Sequence, residues 1–351
     1  MTDGPLAQDE ISYTGDARQQ EPVSPLVLLP ERTGGHRLST QYLSGVATLA
    51  LIFFASAFVT VAFLSSYDEL NVGVPQTASA AASLENPFDS ISLMAEGAYV
   101  LDLTTNRVLY SKNPDSRLPL ASLVKVPLVL AVSEAFPSGT SITIPSHVPP
   151  DGAGIRLPAG MQFAAQDIIA FTLVASSNEG AAILSNAAGE ALHKKYPSST
   201  EGAAVLWRMN DIAQNLGLST VTFLNTNGLD LSDTEASAFG SAHDVALLFG
   251  YAASTAPASF GQTSRTSIKI RATTGETVTA TNTDEALPAI PGIVMGKTGF
   301  TRLAGGNLAV VFEVGPTRPV VAVVLNSTQD GRFDDMKKLV TATVESISTG
   351  Q

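Results

Sequence analysis

The sequence predicts an α+β domain preceded by one membrane-spanning helix, and three observations carry that reading. Residues 42–64 form a 23-residue stretch free of Asp, Glu, Lys and Arg. Short runs of strand-like composition lie at both ends of the remaining chain, and between them apolar residues recur at helical spacing. Terminal strands that share a sheet, with the helices between them packed on it, give an antiparallel sheet flanked by helices. With 351 residues, 44% hydrophobic and 15% charged, the chain can bury a sizeable core and is too apolar to remain disordered.

Residues 1–41 are polar, rich in Pro, Gly and acids, and lack apolar periodicity, so they read as a disordered tail. About 20 apolar residues suffice to cross the hydrocarbon core as a helix, and residues 42–64 exceed that. Arg32, His36 and Arg37 precede this segment and Asp68 and Glu69 follow it. The positive-inside rule then leaves the tail in the cytoplasm and everything after Ser65 outside, as a single-pass cell-membrane protein. A cleaved signal peptide has an apolar core of about 7–15 residues and is cut shortly after it. Here the small-residue run Ala78-Ser79-Ala80 begins 14 residues beyond Leu64, so the segment reads as an uncleaved anchor. Residues 65–91 form a small-residue linker, and residues 92–348 form the domain.

Within the domain, residues 98–103 and 108–112 are β-type runs about a turn, an opening hairpin. Pro119-Leu120-Ala121 leads into a helix predicted from Ser122 to about residue 135. A second helix is expected over 166–174 and a third after Ser177. Ser198-Ser199-Thr200-Glu201 fits a capping box ahead of Val205, Met209, Ile212 and Leu216. Residues 307–314 and 319–325 form a closing hairpin about Gly315-Pro316, followed by an amphipathic helix carrying Phe333, Met336, Val340, Val344 and Ile347.

The formal charge of −12, with no basic stripe, argues against nucleic acid as a partner, because phosphate contacts need clustered Lys and Arg. The absence of cysteine removes disulfides, thiolate metal sites and a cysteine nucleophile. The histidines at 36, 147, 193 and 243 have no ligand-type spacing, so no metal is expected.

Three short motifs carry chemistry. Ser122-Leu123-Val124-Lys125 puts serine and lysine three apart, on one helix face with Cβ atoms about 5–6 Å apart. A serine hydroxyl is a poor nucleophile at neutral pH and needs an adjacent base. A lysine fills that role when burial or neighbouring positive charge disfavours its ammonium form, and Val124, Val126 and Leu128 supply apolar surroundings. Taken alone, the motif equally fits a helix start with Ser at its cap and a solvated Lys. Ser176-Ser177-Asn178 lies at a break between two helices, where a hydroxyl and an amide can be held over a cleft, though Ser and Asn also cap helices routinely. Lys297-Thr298-Gly299 ends an apolar strand run and is followed by Phe300. Lysine and threonine can hold a carboxylate there, glycine permits close backbone approach, and an N–H just beyond can face an oxyanion.

The order S-x-x-K, S-x-N, K-T-G, with 54 residues from Ser122 to Ser176 and 121 from Ser176 to Lys297, matches the signature of β-lactamases and penicillin-binding proteins. Over roughly residues 95–345 the chain resembles the D-alanyl-D-alanine carboxypeptidase family, the low-molecular-weight penicillin-binding proteins. The likeness extends to the opening hairpin AYVLDLTTNRVLYSKNPDSRLPLASLVK, to IIAFTLVASSNEGAA, to the Asn-Gly-Leu turn at Asn227-Gly228-Leu229, and to GKTGFTRLAGGNLAVVFE.

That resemblance implies a β-lactamase/transpeptidase-like fold and a covalent route without a cofactor. Ser122 would attack the carbonyl between the terminal D-alanines of a peptidoglycan stem peptide. Lys125 would take its proton, while Ser176 and Asn178 shuttle protons and position the peptide. Lys297, Thr298 and Gly299 would receive the terminal carboxylate, and the N–H groups of Ser122 and Phe300 would form the oxyanion hole. β-Lactams would acylate the same serine. Position 124 is Val where the family often has Thr, position 179 is Glu where Asp is common, and the anchor is N-terminal. A β-lactamase would want Asp at position 177, where this chain has Ser177. A transpeptidase or endopeptidase differs only in acceptor or peptide, which the motifs leave open. An inactive wall-binding scaffold would have no chemical need for Ser122, Lys125, Asn178 and Lys297 together.

Overall fold

The computed structural model describes residues 86–147, 156–200 and 202–350. The expected tail (1–41), the anchor (42–64) and residues 65–85 of the linker lie outside the described residues. Among the described residues no helix is long and apolar enough to cross a membrane.

Five strands make the main sheet: β1 (Gly97–Asp102), β2 (Arg107–Lys112), β3 (Ile293–Thr301), β4 (Gly305–Glu313) and β5 (Pro319–Ser327). They run antiparallel in the order β3-β4-β5-β1-β2, so the two ends of the domain meet where β1 pairs with β5. Six longer helices accompany them: α1 (Lys125–Ser133), α2 (Ala165–Val174), α3 (Asn178–Lys195), α4 (Ala204–Asn215), α5 (Ala242–Thr255) and α6 (Gly331–Ser348).

The period-two alternation of a strand explains how the sheet is buried on both faces. Tyr99, Leu101, Ala309, Val311, Val321, Val323 and Leu325 point to one side and join the larger core with α1 to α5. Ala98, Val100, Leu308, Val310, Phe312, Val320, Ala322 and Val324 point to the other and pack on Phe333, Met336, Leu339 and Val340 of α6. Antiparallel sheets usually leave one face solvated, with alternating polarity. Here both faces are covered, which is why β4 and β5 read as nearly continuous apolar runs.

Residues 87–90, placed in the linker by composition, form a 3₁₀ turn whose N-cap Asn86 accepts from the Phe88 N–H at 3.2 Å. Phe88 is buried in the second core, so packing begins before residue 92. The expected capping box at Ser198 to Glu201 is not the start of α4, whose N-cap is Ala203. Ser199 Oγ instead donates to the Tyr196 carbonyl at 2.7 Å, closing the end of α3. At the helix predicted from Ser122, the residues Ala121–Val124 form a 3₁₀ turn, and α1 begins at Lys125. Every α1 residue from Lys125 to Val132 is buried. A helix apolar on all sides belongs inside the protein, and α1 runs through the middle of the larger core.

Candidate active site

The Ser122 turn is held from both sides. Leu118–Pro119 pairs with Ala238–Gly240, and the Leu120 N–H donates to the Ala238 carbonyl at 2.9 Å. Ala121 then adopts φ +48°, and Ser122 follows in the 3₁₀ turn. In a 3₁₀ helix, side chains three apart eclipse, so the change from α to 3₁₀ geometry brings Ser122 and Lys125 together more closely. Lys125 Nζ donates to Ser122 Oγ at 2.8 Å, to Asn178 Oδ1 at 2.7 Å and to the Asn227 carbonyl at 2.6 Å. The lysine is fully buried, whereas Ser122 and Asn178 are half-buried and open to a ligand.

Ser176 sits between α2 and α3 with φ +53°. Of the six described non-glycine residues with positive φ, three are asparagines, which tolerate that region; of the other three, Thr317 lies in the turn between β4 and β5, and Ala121 and Ser176 lie in this site. Strain of about 1–3 kcal/mol at such residues persists where the surroundings over-determine them. At Ser176 they do: Ser177 N donates to the Thr172 carbonyl at 3.1 Å, and Ser177 Oγ caps α3 by accepting from Gly180 N at 3.0 Å. Gly180 packs so tightly that a Cβ there would lie 2.2 Å from Thr172 Oγ1.

The K-T-G segment occupies β3, the edge strand beside this turn. Lys297 Nζ donates to Ser176 Oγ and to the Thr298 carbonyl, each at 2.7 Å. A Cβ on Gly299 would fall 2.8 Å from the Leu120 carbonyl and 3.2 Å from the Ser122 nitrogen, so glycine is what lets the strand close on the serine turn. Phe300 follows with its ring exposed. All eight predicted residues, Ser122, Lys125, Ser176, Asn178, Lys297, Thr298, Gly299 and Phe300, thus fall on three adjoining elements.

Burial, then the positive charges of Lys125 and Arg332, push the Lys297 amine well below the ordinary lysine range, while Asp284 acts in the opposite direction. Burial is also the main cause that lowers the Arg332 guanidinium from its ordinary value. Arg332, at the start of α6, donates through Nη1 to the Gly299 carbonyl at 3.2 Å. Two basic side chains, Lys297 and Arg332, thus flank the Thr298–Gly299 end of β3, beside a serine linked to a buried amine.

Four contributors were not singled out as site residues from the motifs. Asn227 enters through its backbone carbonyl, because Gly228 at φ +84° lies against the Ala121 carbonyl, where a Cβ would come within 2.2 Å. Only the likeness of the Asn-Gly-Leu turn hinted at it. Thr283 Oγ1 lies 2.5 Å from Thr298 Oγ1, and Arg332 and Asp284 adjoin β3 from elsewhere in sequence. These carry no local signal, since their role arises from packing.

A family model described as D-alanyl-D-alanine carboxypeptidase matches residues 80–329. The chain is similar to the D-alanyl-D-alanine carboxypeptidase DacF of Bacillus subtilis, with 26% identity over 256 residues, 70% of this chain and 61% of that one. The match thus spans less than two thirds of that relative's own length. It is also similar to a D-alanyl-D-alanine endopeptidase of Escherichia coli, with 27% identity over 260 residues, 72% of this chain and 76% of that one. The structure of penicillin-binding protein D2 of Listeria monocytogenes, in an ampicillin-bound form, superposes with a TM-score of 0.60 at 26% identity, covering 72% of this chain and 98% of that one.

Proposed function

The chain belongs to the D-alanyl-D-alanine carboxypeptidase family, and we propose that it is a serine peptidase that removes the terminal D-alanine of peptidoglycan stem peptides through an acyl-enzyme on Ser122. The observation that carries this reading is the 2.8 Å contact between the buried Lys125 amine and the half-buried Ser122 hydroxyl. Once the Lys125 amine has given up its own proton it serves as the base: the proton on Ser122 passes along the contact to Nζ as Oγ attacks the carbonyl between the two D-alanines. The N–H groups of Ser122 and Phe300 receive the oxyanion, each such donor contributing about 3–4 kcal/mol. The proton then goes to the leaving amine, and D-alanine departs. Asn178 and Ser176, tied to Lys125 and Lys297, hold the peptide and relay that proton. Lys297 and Thr298 receive the terminal carboxylate, with Gly299 giving it close access to the strand. Water, arriving where D-alanine left, hydrolyses the ester.

β-Lactams carry a carboxylate and a strained amide in the same relation, so they acylate Ser122 by the first half of this route. The domain works outside the cell membrane, held there by residues 42–64, with residues 1–41 in the cytoplasm. The charge-free run and its flanking charges support that placement.

The test is incubation of the purified protein with a stem pentapeptide, alongside Ser122→Ala. Free D-alanine is expected from the wild type only. Equal release by both proteins, or none from a folded wild type, contradicts the assignment. A product in which an added amine replaces D-alanine would move the acceptor from water to amine.

A further inference from the structure

Beyond the Asn-Gly-Leu turn, the loop that follows also reaches β3. Asp230 stands two residues after Gly228, half-buried, and its carboxylate is shared between two donors on the β3–β4 hairpin. Oδ1 accepts from Thr301 Oγ1 at 2.9 Å, and Oδ2 accepts from the Leu303 N–H at 3.3 Å. Thr301 Oγ1 in turn accepts from the Ala304 N–H at 3.1 Å, so its one proton is committed to Asp230. The same loop holds the other side of the site. The Asn227 carbonyl accepts from Lys125 Nζ at 2.6 Å, and Gly228 lies against the Ala121 carbonyl. Asn225 closes this turn on itself, accepting from the Gly228 N–H at 2.8 Å and donating to the Leu229 carbonyl at 2.9 Å.

β3 is an edge strand, with β4 as its strand neighbour on one side. Apart from that pairing, contacts to other elements hold it near both ends of the K-T-G segment. Before Gly299, the Gly296 N–H donates to Thr263 Oγ1 at 3.0 Å, Lys297 Nζ donates to Ser176 Oγ at 2.7 Å, and the Thr298 hydroxyl meets Thr283. After Phe300, the tether is Thr301 to Asp230. Gly299 and Phe300 lie between these anchor points, with Arg332 bonded to the Gly299 carbonyl. Phe300, whose N–H is assigned to the oxyanion together with that of Ser122, directly precedes Thr301.

We infer that Asp230 is a positioning residue for the oxyanion hole: it ties the end of β3 to the loop that holds Ala121 and Lys125, and so fixes the Phe300 N–H relative to the nucleophile. The inference rests on the functional reading above and deepens it, by assigning what aligns the two oxyanion donors. Such donors act because they are fixed in place before the charge develops. A carboxylate suits the task because both of its oxygens accept, and here both meet donors. An amide at 230 can accept from one of them and turns its own NH₂ toward the other. With the clamp broken, Lys297 and Thr298 keep their own anchors at Ser176 and Thr283. The loss therefore falls on the step in which the carbonyl oxygen becomes negative, and binding of the ground state is spared.

The test follows acylation by a penicillin in stopped flow, which separates the dissociation constant of the first complex from the acylation rate constant. Wild type is compared with Asp230→Ala, Asp230→Asn, Thr301→Val, Thr301→Ser and the double variant Asp230→Ala/Thr301→Val, and thermal midpoints are measured for all. Asp230→Ala and Thr301→Val should each acylate about 10–100-fold more slowly, up to the loss that a misplacement of about 1 Å brings, with the dissociation constant unchanged. Asp230→Asn should fall between them and the wild type, and Thr301→Ser, which keeps the hydroxyl, should acylate as the wild type does. The double variant should be no slower than the slower single variant, because both remove one contact. Wild-type acylation in Asp230→Ala and Thr301→Val, or single effects that multiply in the double variant, overturn the inference alone. So does a loss shared by Thr301→Ser, a loss confined to the dissociation constant, or one that follows the thermal midpoint across the set. A folded wild type that penicillin does not acylate on Ser122 overturns the functional reading, and this inference with it.

Discussion

At the scale of the residue, the proposed reaction depends on Lys125. Its hydrogen bonds to Ser122, Asn178 and Asn227 join the serine turn, the start of α3 and the Asn-Gly turn. Lys125→Met keeps the volume and removes the amine. It should lower kcat for D-alanine release by about 10²–10⁴, the usual contribution of a general base. It should also lower stability by about 1–3 kcal/mol, because Asn178 Oδ1 and the Asn227 carbonyl lose a buried donor. Rapid-quench kinetics and chemical denaturation separate the two effects. Asp284 works the other way. Its folded pKa lies above the unfolded value, so its contribution to stability is greatest below pH 4 and declines as pH rises from about 4 to about 6. Asp284→Asn should therefore be more stable by about 1–3 kcal/mol at pH 7, and unchanged at pH 4, in urea titrations at the two pH values. Ser122, Lys125, Ser176, Asn178 and Lys297 were legible because their spacing repeats a known order. Asp284, Thr283 and Arg332 were not, since a buried carboxylate or arginine looks like any surface residue until the chain is packed.

At the scale of the element, the site depends on how closely β3 approaches the Ser122 turn. Gly299→Ala would place a methyl 2.8 Å from the Leu120 carbonyl and must shift the strand outward. A misplacement of about 1 Å can cost about 10²-fold in rate. Acylation by a fluorescent penicillin should slow by that order, while the far-ultraviolet dichroism stays that of the wild type. An acylation rate within twofold of wild type would mean that the strand's approach does not matter. The elements themselves were largely legible: both hairpins, the helix–break–helix about Ser177 and the closing helix appear where periodicity puts them. Their junctions were less so. A 3₁₀ turn replaces the first turn of the Ser122 helix because Ala121 is held at φ +48° by contacts with residues 238 and 228, which no local pattern contains. The α4 start moved because Ser199 found partners at the end of α3 instead.

At the scale of the molecule, the fold closes where its two ends pair. Asp102, buried at the end of β1, accepts from Thr104 and Thr105 N–H groups at 2.9 and 3.2 Å and from Arg318 at 2.7 Å and 2.9 Å. Burial raises its pKa, but the Arg318 and backbone hydrogen bonds outweigh burial and hold it below the usual carboxylate value. Its contribution to stability is present above the unfolded carboxylate range near pH 4 and is lost as pH falls through its lower folded value. Arg318→Ala leaves that carboxylate buried with its backbone donors alone, and should cost about 2 kcal/mol at pH 7 and less at pH 2–3. Thermal unfolding at the two pH values measures the difference. All of this scaffolding, a sheet covered on both faces and an apolar α1 through its core, serves to present one serine beside one buried amine. Intact-protein and peptide mass spectrometry after exposure to penicillin tests that directly. One adduct is predicted, on the peptide carrying Ser122, absent from Ser122→Ala; an adduct on Ser176 or any other residue, or undiminished labelling of Ser122→Ala, would contradict it.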